Sequence, residues 1–347
     1  MTLKPVLCLM SMLLAAPSAA QDLGAAPEPG LGSAYAYAKS GAKAAHAKDL
    51  AQSGARVIGG QRADPGEWPW QVALLVAGYG ISPDTQFCGG SMILDTWVLT
   101  AAHCVFDTAA DGSKVPTSSE GIAVLVGATV LAAGQGEAIG ADAIFVHPDY
   151  NPEEFDNDIA LIRLARVPVV PYATVTVPDA EFGDILDQPG VISYVTGWGL
   201  VEGGDHPADM HETEIQMLSR AQCNDAMIEA RADEAAKGFS YAVDTFGLSD
   251  ADAQSAWEEL LARVPEPMSV NMICSGTYEG GKTACQGDSG GPLVVPLDDG
   301  SFVQAGVVSW GLSAGPSQTC DETALFSAYT RISNYVGWLE QTIAANP

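Results

Sequence analysis

A chain of 347 residues with 43 acidic and 15 basic side chains carries a formal charge of −28 at neutral pH, and 47% of it is hydrophobic. Residues 1–56 hold five of the basic side chains and three of the acidic ones, so the remainder keeps 10 basic and 40 acidic, a net −30. Such a surface repels polyanions, which excludes nucleic acid and anionic membranes as partners and leaves cationic partners, salt tolerance or plain solubility.

The chain opens as an export signal over residues 1–20: Lys4, the apolar run 6–16, then Ser18-Ala19-Ala20 before Gln21. That run is too short to anchor in a bilayer, and no later stretch has the composition of a transmembrane helix. A secreted protein, extracellular or periplasmic, is expected. Residues 21–56, rich in Ala and Gly without an apolar period, read as a flexible pro-segment. It ends at Ser53-Gly54-Ala55-Arg56, ahead of Val57-Ile58-Gly59-Gly60.

From Val57 on, short strands alternate with turns, for example over 71–76, 91–100, 122–126, 158–164, 191–197 and 303–310. This spacing predicts an all-β sandwich or barrel. An Ala- and acid-rich stretch at 230–267 interrupts it, with helical patterns over 221–237 and 249–263. A lid, an exosite, a partner surface and a plain surface decoration all suit that stretch. The chain closes on a helix over 332–344, with Ile332, Tyr335, Val336, Leu339 and Ile343 on one face.

Cys8 leaves with the signal, and Cys88, Cys104, Cys223, Cys274, Cys285 and Cys320 remain. An even count in an exported chain predicts disulfides, and six cysteines allow 15 pairings. The histidines (His46, His103, His147, His206 and His211) are scattered, and the loop after Gly127 lacks a calcium-binding carboxylate pattern. No metal and no cofactor is expected.

Chemistry concentrates in Cys285-Gln286-Gly287-Asp288-Ser289-Gly290-Gly291-Pro292. A serine between an aspartate and two glycines suits a place where a hydroxyl is exposed and backbone N–H groups face inward. Gly287 lets the backbone approach a ligand with no Cβ in the way. Its N–H and that of Ser289 can stabilise an oxyanion. A serine hydroxyl is a weak nucleophile and needs a base, which needs an orienter. His103, in Leu99-Thr100-Ala101-Ala102-His103-Cys104, is the candidate base. Asp158, in Asn157-Asp158-Ile159-Ala160-Leu161, is the candidate orienter. Singly, each has an equal structural reading, as a packed histidine and as a solvated strand-start aspartate.

These segments, with Ser309-Trp310-Gly311, resemble the chymotrypsin-like serine proteases (the trypsin/chymotrypsin family) over nearly all of residues 57–344. The order His, Asp, Ser separates this class from subtilisin-like and α/β-hydrolase triads. The resemblance implies an all-β fold of two packed six-stranded antiparallel barrels with a C-terminal helix. The protease domain spans 57–347, with a helical insertion at about 230–267 where Cys223 and Cys274 stand 51 residues apart. It implies a Ser289–His103–Asp158 triad working through an acyl-enzyme, and an oxyanion hole of Gly287 and Ser289. It selects the disulfides Cys88–Cys104, Cys223–Cys274 and Cys285–Cys320. It implies activation by cleavage after Arg56, the new Val57 amino group pairing with Asp288.

For substrate binding it points to Thr283 at the pocket base, Gly311 and Ser327 on its walls, and Gln286, Ser309 and Trp310 around it. Trypsin-like members carry Asp at the base, so Thr283 implies uncharged, medium-sized or aromatic side chains before the scissile bond. The expected partners are protein or peptide substrates and a separate trypsin-like activator, with the enzyme a monomer. A catalytically silent binding protein on the same fold and an esterase using the same triad are the rivals. The first usually betrays itself by a replaced triad residue, and none is replaced here.

Overall fold

The computed structural model describes residues 60–108, 114–201, 206–277, 283–313 and 324–347. The signal segment, the pro-segment with Arg56, Val57 and Cys320 lie outside these residues.

The first sheet begins at β1, Gln71–Val76, whose sequence QVALLV is buried at all positions but the last. A strand covered on both faces carries successive rather than alternate apolar residues. β2 (Gln86–Leu94), β3 (Trp97–Thr100), β4 (Ile122–Val126), β5 (Glu137–Val146) and β6 (Ala160–Leu164) follow. They pair antiparallel in the order β1-β2-β3-β6-β5-β4 and close through β1 and β4. Closure leaves no open sheet edge. The single strand expected over 91–100 is a hairpin, with Leu94 facing Trp97 across Asp95 and Thr96. That turn holds neither Gly nor Pro, so apolar residues run up to it from both sides.

The second sheet is built from β7 (Ile192–Gly197), β8 (His211–Leu218), β9 (Met272–Gly276), β10 (Pro292–Pro296), β11 (Phe302–Ser313) and β12 (Ala324–Arg331). Its order is β8-β7-β10-β11-β12-β9, and β8 pairs with β9 to close it. A two-residue strand, Gln61–Arg62, adds to the side of β8. These are the two six-stranded antiparallel barrels the resemblance implied.

Each barrel has its own core. Val72, Leu74, Met92, Leu99, Leu125 and Leu161 fill the first, and Met217, Leu293, Val295 and Tyr329 the second, all with no exposed surface. Each such side chain contributes about 1.5–3 kcal/mol by leaving water. Buried polar pairs cross from barrel to barrel. Ser91 Oγ donates to Gln304 Oε1 at 2.6 Å, and Thr196 Oγ1 to Gln71 Oε1 at 2.8 Å. Losing one partner would strand a buried polar atom at about 1–3 kcal/mol, so these pairs penalise any sliding of the barrels. The C-terminal helix is present, but the segment expected as one helix over 332–344 is a 3₁₀ turn (Ile332–Asn334) and a helix (Val336–Ala345) with Tyr335 between them.

The stretch Ala221–Met268 belongs to a separate compact unit. Its helices are Arg220–Phe246 and Asp250–Leu261. The first runs past Lys237, where the sequence pattern ended. Gly238 inside it costs only about 1 kcal/mol against Ala, and the next residue, Phe239, packs on Trp257 with ring centroids 5.1 Å apart. Trp257 is buried against Ala232 and Ala236, whose small side chains let the helices approach. The first helix stops at Gly247, φ +65°, and Leu248 N–H donates to Val243 O at 3.1 Å. That bond satisfies a terminal carbonyl, and the left-handed conformation it needs favours glycine. Ser249 then caps the second helix by accepting the Asp252 N–H at 3.2 Å. Among the described residues, no helix is long and apolar enough to cross a membrane.

Candidate active site

β3 ends in Thr100, and a 3₁₀ turn, Ala102–Val105, carries His103. The disulfide Cys88–Cys104, with Cα atoms 6.1 Å apart, ties this turn back to β2. Closing a loop of this length stabilises by about 3 kcal/mol in the chain-entropy view. Asp158 lies just before β6, fully buried. A buried carboxylate needs several donors, and Asp158 has them. Its Oδ1 accepts the His103 backbone N–H at 2.8 Å, and its Oδ2 stands 2.8 Å from His103 Nδ1. Ser309 Oγ also donates to Oδ2, and Thr330 Oγ1 donates to the Asp158 carbonyl at 2.7 Å. Carboxylate oxygens only accept, so His103 Nδ1 is the donor, and in the neutral imidazole Nε2 then keeps its lone pair. His103 keeps 22% of its side chain exposed.

Ser309 reaches Asp158 because the β11–β12 register shifts between Val308 and Trp310. A bulge of this kind re-aims the side chain it carries. Sequence reading singled out Ser309 but missed Phe155. The ring of Phe155 meets that of His103 edge-on at 5.8 Å. Phe155 and Asn157 both hold positive φ, 54° and 55°, a strained conformation for such residues. Asn157 is fixed there by donating to Asp149 O at 2.9 Å and accepting from the Tyr335 hydroxyl at 3.0 Å.

The loop with Ser289 is held from both barrels. Gly89 N–H donates to Ser289 O at 2.7 Å, and Gly290 N–H to Val308 O at 2.8 Å. Gly290, φ +80°, packs so closely that a Cβ would collide with Thr100 Oγ1 and stand 3.2 Å from Ala101 N. Ser289 itself is half-buried, its carbonyl held by Gly89 and its neighbour Gly290 packed on the strand end that leads into His103. Among the described residues, the N–H groups of Gly287 and Ser289 donate to no acceptor.

Asp288 is buried as well. Its Oδ1 accepts Gly199 N–H at 2.7 Å and its Oδ2 accepts Cys285 N–H at 2.9 Å. A Cβ on Gly199 would run into the same carboxylate. Burial pushes the Asp288 carboxyl up to about 6, against the pull of the two N–H donors. No cation lies beside it among the described residues.

The expected pocket residues also come together. Thr283 and Ser327 are buried with their hydroxyls hydrogen-bonded to each other, and Ser327 Oγ accepts the Ala284 N–H at 2.9 Å. Gly311 is the register partner of Ser327, and a Cβ on it would meet Thr283 Oγ1 at 3.7 Å. Trp310 packs on Phe326 at 5.8 Å. Gln286 is exposed, its carbonyl taking the Leu200 N–H at 2.8 Å. Cys223, Cys274 and Cys285 are disulfide-bonded. His206 and His211 do not converge: His206 Nε2 meets Gln86 Oε1 at 2.8 Å, while His211 opens β8 with Nδ1 3.0 Å from Asp209 O. The cluster of Cys88, His103 and Cys104 has the spacing of metal ligands, but both thiols are spent in the disulfide.

The sequence profile of the family described as Trypsin matches residues 57–339. Among curated proteins, the chain is 32% identical over 289 residues to the suppressor of tumorigenicity 14 protein homolog of Bos taurus, covering 83% of this chain but only 28% of that protein. It is 32% identical over 295 residues to the anionic trypsin of Canis lupus familiaris, covering 84% of this chain and 91% of that one. With two closed barrels and a family match across most of its length, the chain belongs to the trypsin/chymotrypsin family of serine proteases.

Proposed function

We propose that this chain is a secreted serine endopeptidase made as an inactive precursor. The observation that carries the reading is the hydrogen-bonded run Ser309–Asp158–His103, which leaves His103 Nε2 as a base. Ser289 Oγ attacks the scissile carbonyl as its proton passes to His103 Nε2. The oxyanion forms at the open N–H groups of Gly287 and Ser289. The C–N bond then breaks as Nε2 returns the proton to the leaving amine. Water, activated by the same nitrogen, hydrolyses the acyl-enzyme. Asp158 holds the tautomer and stabilises the imidazolium without taking its proton.

Activation is cleavage after Arg56 by a trypsin-like protease. The freed Val57 ammonium pairs with Asp288, whose buried carboxylate lacks a cation among the described residues. The signal over 1–20 and the disulfides support export to an oxidising compartment. The enzyme works as a monomer without metal or cofactor. Its partners are protein or peptide substrates and its activator. The domain spans 57–347, with residues 230–267 as a surface insertion.

The pocket prefers uncharged, medium-sized or aromatic side chains. The Thr283 hydroxyl is engaged with Ser327, and an unpaired buried guanidinium would cost several kcal/mol. Asp321 and Glu322 lie outside the described residues and are the competing carboxylates. Matched Phe, Leu, Ala and Arg peptide substrates decide the matter, and a higher kcat/KM on Arg overturns the pocket reading while sparing the protease.

The central test is Ser289→Ala. It should fold and be exported normally while losing activity by about 10³-fold or more. Retention of a tenth of the activity refutes the mechanism. Active material should begin at Val57, and Arg56→Gln should stay full-length and silent.

A further inference from the structure

Gly287 sits at φ +100°, where no side chain resists rotation of its neighbouring peptide groups. Both of those groups are nonetheless anchored. The peptide that carries the Gly287 N–H has its carbonyl, Gln286 O, bonded to Leu200 N–H at 2.8 Å. The next peptide has its carbonyl, Gly287 O, bonded to Gln86 Nε2 at 2.7 Å. Gln86 opens β2 and is buried. Its amide nitrogen also donates to Cys88 O at 2.9 Å. Both amide hydrogens are then used, so Gln86 Oε1 can only accept. The group it faces is His206 Nε2, at 2.8 Å. With both Gln86 hydrogens used, His206 Nε2–H is the donor to Oε1, and the Trp198 backbone is a further hydrogen-bond partner of the ring. His206 also borders Gly287 directly, since a Cβ on that glycine would stand 3.3 Å from Nε2.

We propose that Gln86 and His206 are a positioning pair that holds the Gly287–Asp288 peptide and, together with the Leu200 N–H on the Gln286 carbonyl, fixes Gly287 from both sides so that its N–H stays presented to the substrate oxyanion. The inference rests on the proteolytic reading above. Neither residue touches the reacting atoms. His206 holds Gln86, Gln86 holds the Gly287 carbonyl, and Leu200 holds the Gln286 carbonyl; loss of the Gln86 anchor frees one of the two peptides that fix the backbone angles of Gly287. The pair differs from a packing contact in one respect: it needs an amide donor at 86 and a ring N–H at 206, not merely bulk.

The test uses processed full-length enzyme with acetyl-Ala-Ala-Pro-Phe p-nitroanilide, or the Arg analogue if that is the better substrate. The variants are Gln86→Leu, His206→Phe and His206→Gln. Removing an oxyanion donor outright costs about 10²–10³ in kcat, and misdirecting one should cost less. Gln86→Leu should lower kcat about 10- to 100-fold with KM held within about twofold. The matching peptide boronic acid, which mimics the tetrahedral state, should weaken in step with kcat. His206→Phe should lower kcat about 10-fold, and His206→Gln, which restores an N–H donor, should recover most of it. Should the buried Gln86→Leu fail to fold, the half-buried His206 pair carries the test. Unchanged kcat in His206→Phe, or equal loss in His206→Phe and His206→Gln, overturns the proposal. Wild-type protein that neither cleaves peptides nor reacts with a fluorophosphonate would instead refute the proteolytic reading itself.

Discussion

Two buried aspartates face each other in the logic of this site. Asp158, beside the first barrel, has both oxygens and its carbonyl engaged by His103, Ser309 and Thr330. Asp288, in the second barrel's loop, has two backbone N–H donors and no cation among the described residues, and its carboxyl is pushed up to about 6. The first is a finished arrangement, with a donor on each carboxylate oxygen and another on the carbonyl. The second is a buried carboxyl with two N–H donors and no cationic side chain beside it among the described residues. The contrast teaches that one buried carboxylate is satisfied by side chains and backbone alone, while the other leaves room for a cation, which the proposed activation would supply. On the proposed reading, base and orienter need nothing from activation, while the Val57 ammonium would add the charge partner that Asp288, in the oxyanion loop, lacks among the described residues.

The strongest way to break this contrast is Asp158→Asn. An amide can accept at Nδ1 or donate to it, so the His103 tautomer is no longer fixed, while Ser309 and the backbone donors keep the side chain in place. Processed Asp158→Asn should lose roughly 10⁴-fold in kcat with little change in Tm. A loss under tenfold means that the finished half is not what drives turnover.

The second prediction concerns Asp288 and pH. A carboxyl raised from the ordinary 3.8 to about 6 holds its proton more tightly folded than unfolded. Stability from this group is therefore full below about pH 4 and is lost as pH rises through about 6, on the order of 3 kcal/mol in all. Pairing with the Val57 ammonium should remove that loss. Urea denaturation of Ser289→Ala protein, uncut and cut after Arg56, should give similar stability at pH 4 and a clear advantage for the cut form at pH 7. Groups common to both forms cancel in the difference. Asp288→Asn should abolish the pH-dependent part. A gap that is constant from pH 4 to pH 7 removes Asp288 from the activation proposal.

Much of this site was legible because its chemistry is local. His103, Asp158 and Ser289 each sit in a short segment whose neighbours serve the same task, and the barrel strands show their apolar runs. What escaped the sequence is long-range or turns on one torsion. Gln86 and His206 are 120 residues apart and meet only in the folded protein. Phe155 reaches His103 by adopting a left-handed conformation that nothing in its side chain advertises. The hairpin at Asp95 and Thr96 hides between two apolar strands. The helix over Arg220–Phe246 crosses Gly238 because Phe239 has Trp257 to pack on, a contact invisible along one helix.

The smallest expected effect tests how much redundancy the finished half holds. Ser309 Oγ and His103 Nδ1 both bond to Asp158 Oδ2, and Oδ1 keeps the His103 backbone N–H regardless. Ser309→Ala removes one donor from a charge that retains two. A hydrogen bond to a charged group contributes about 1.5–3 kcal/mol, and the remaining donors offset part of that, so kcat should fall about tenfold with KM nearly unchanged. Ser309→Thr keeps the hydroxyl and should recover part of the rate, whereas a purely steric role for Ser309 would make Thr worse than Ala. A loss as large as that of Asp158→Asn would mean that the bulged hydroxyl, rather than the histidine segment, holds the carboxylate in place. The orienter would then belong to the second barrel as much as to the first.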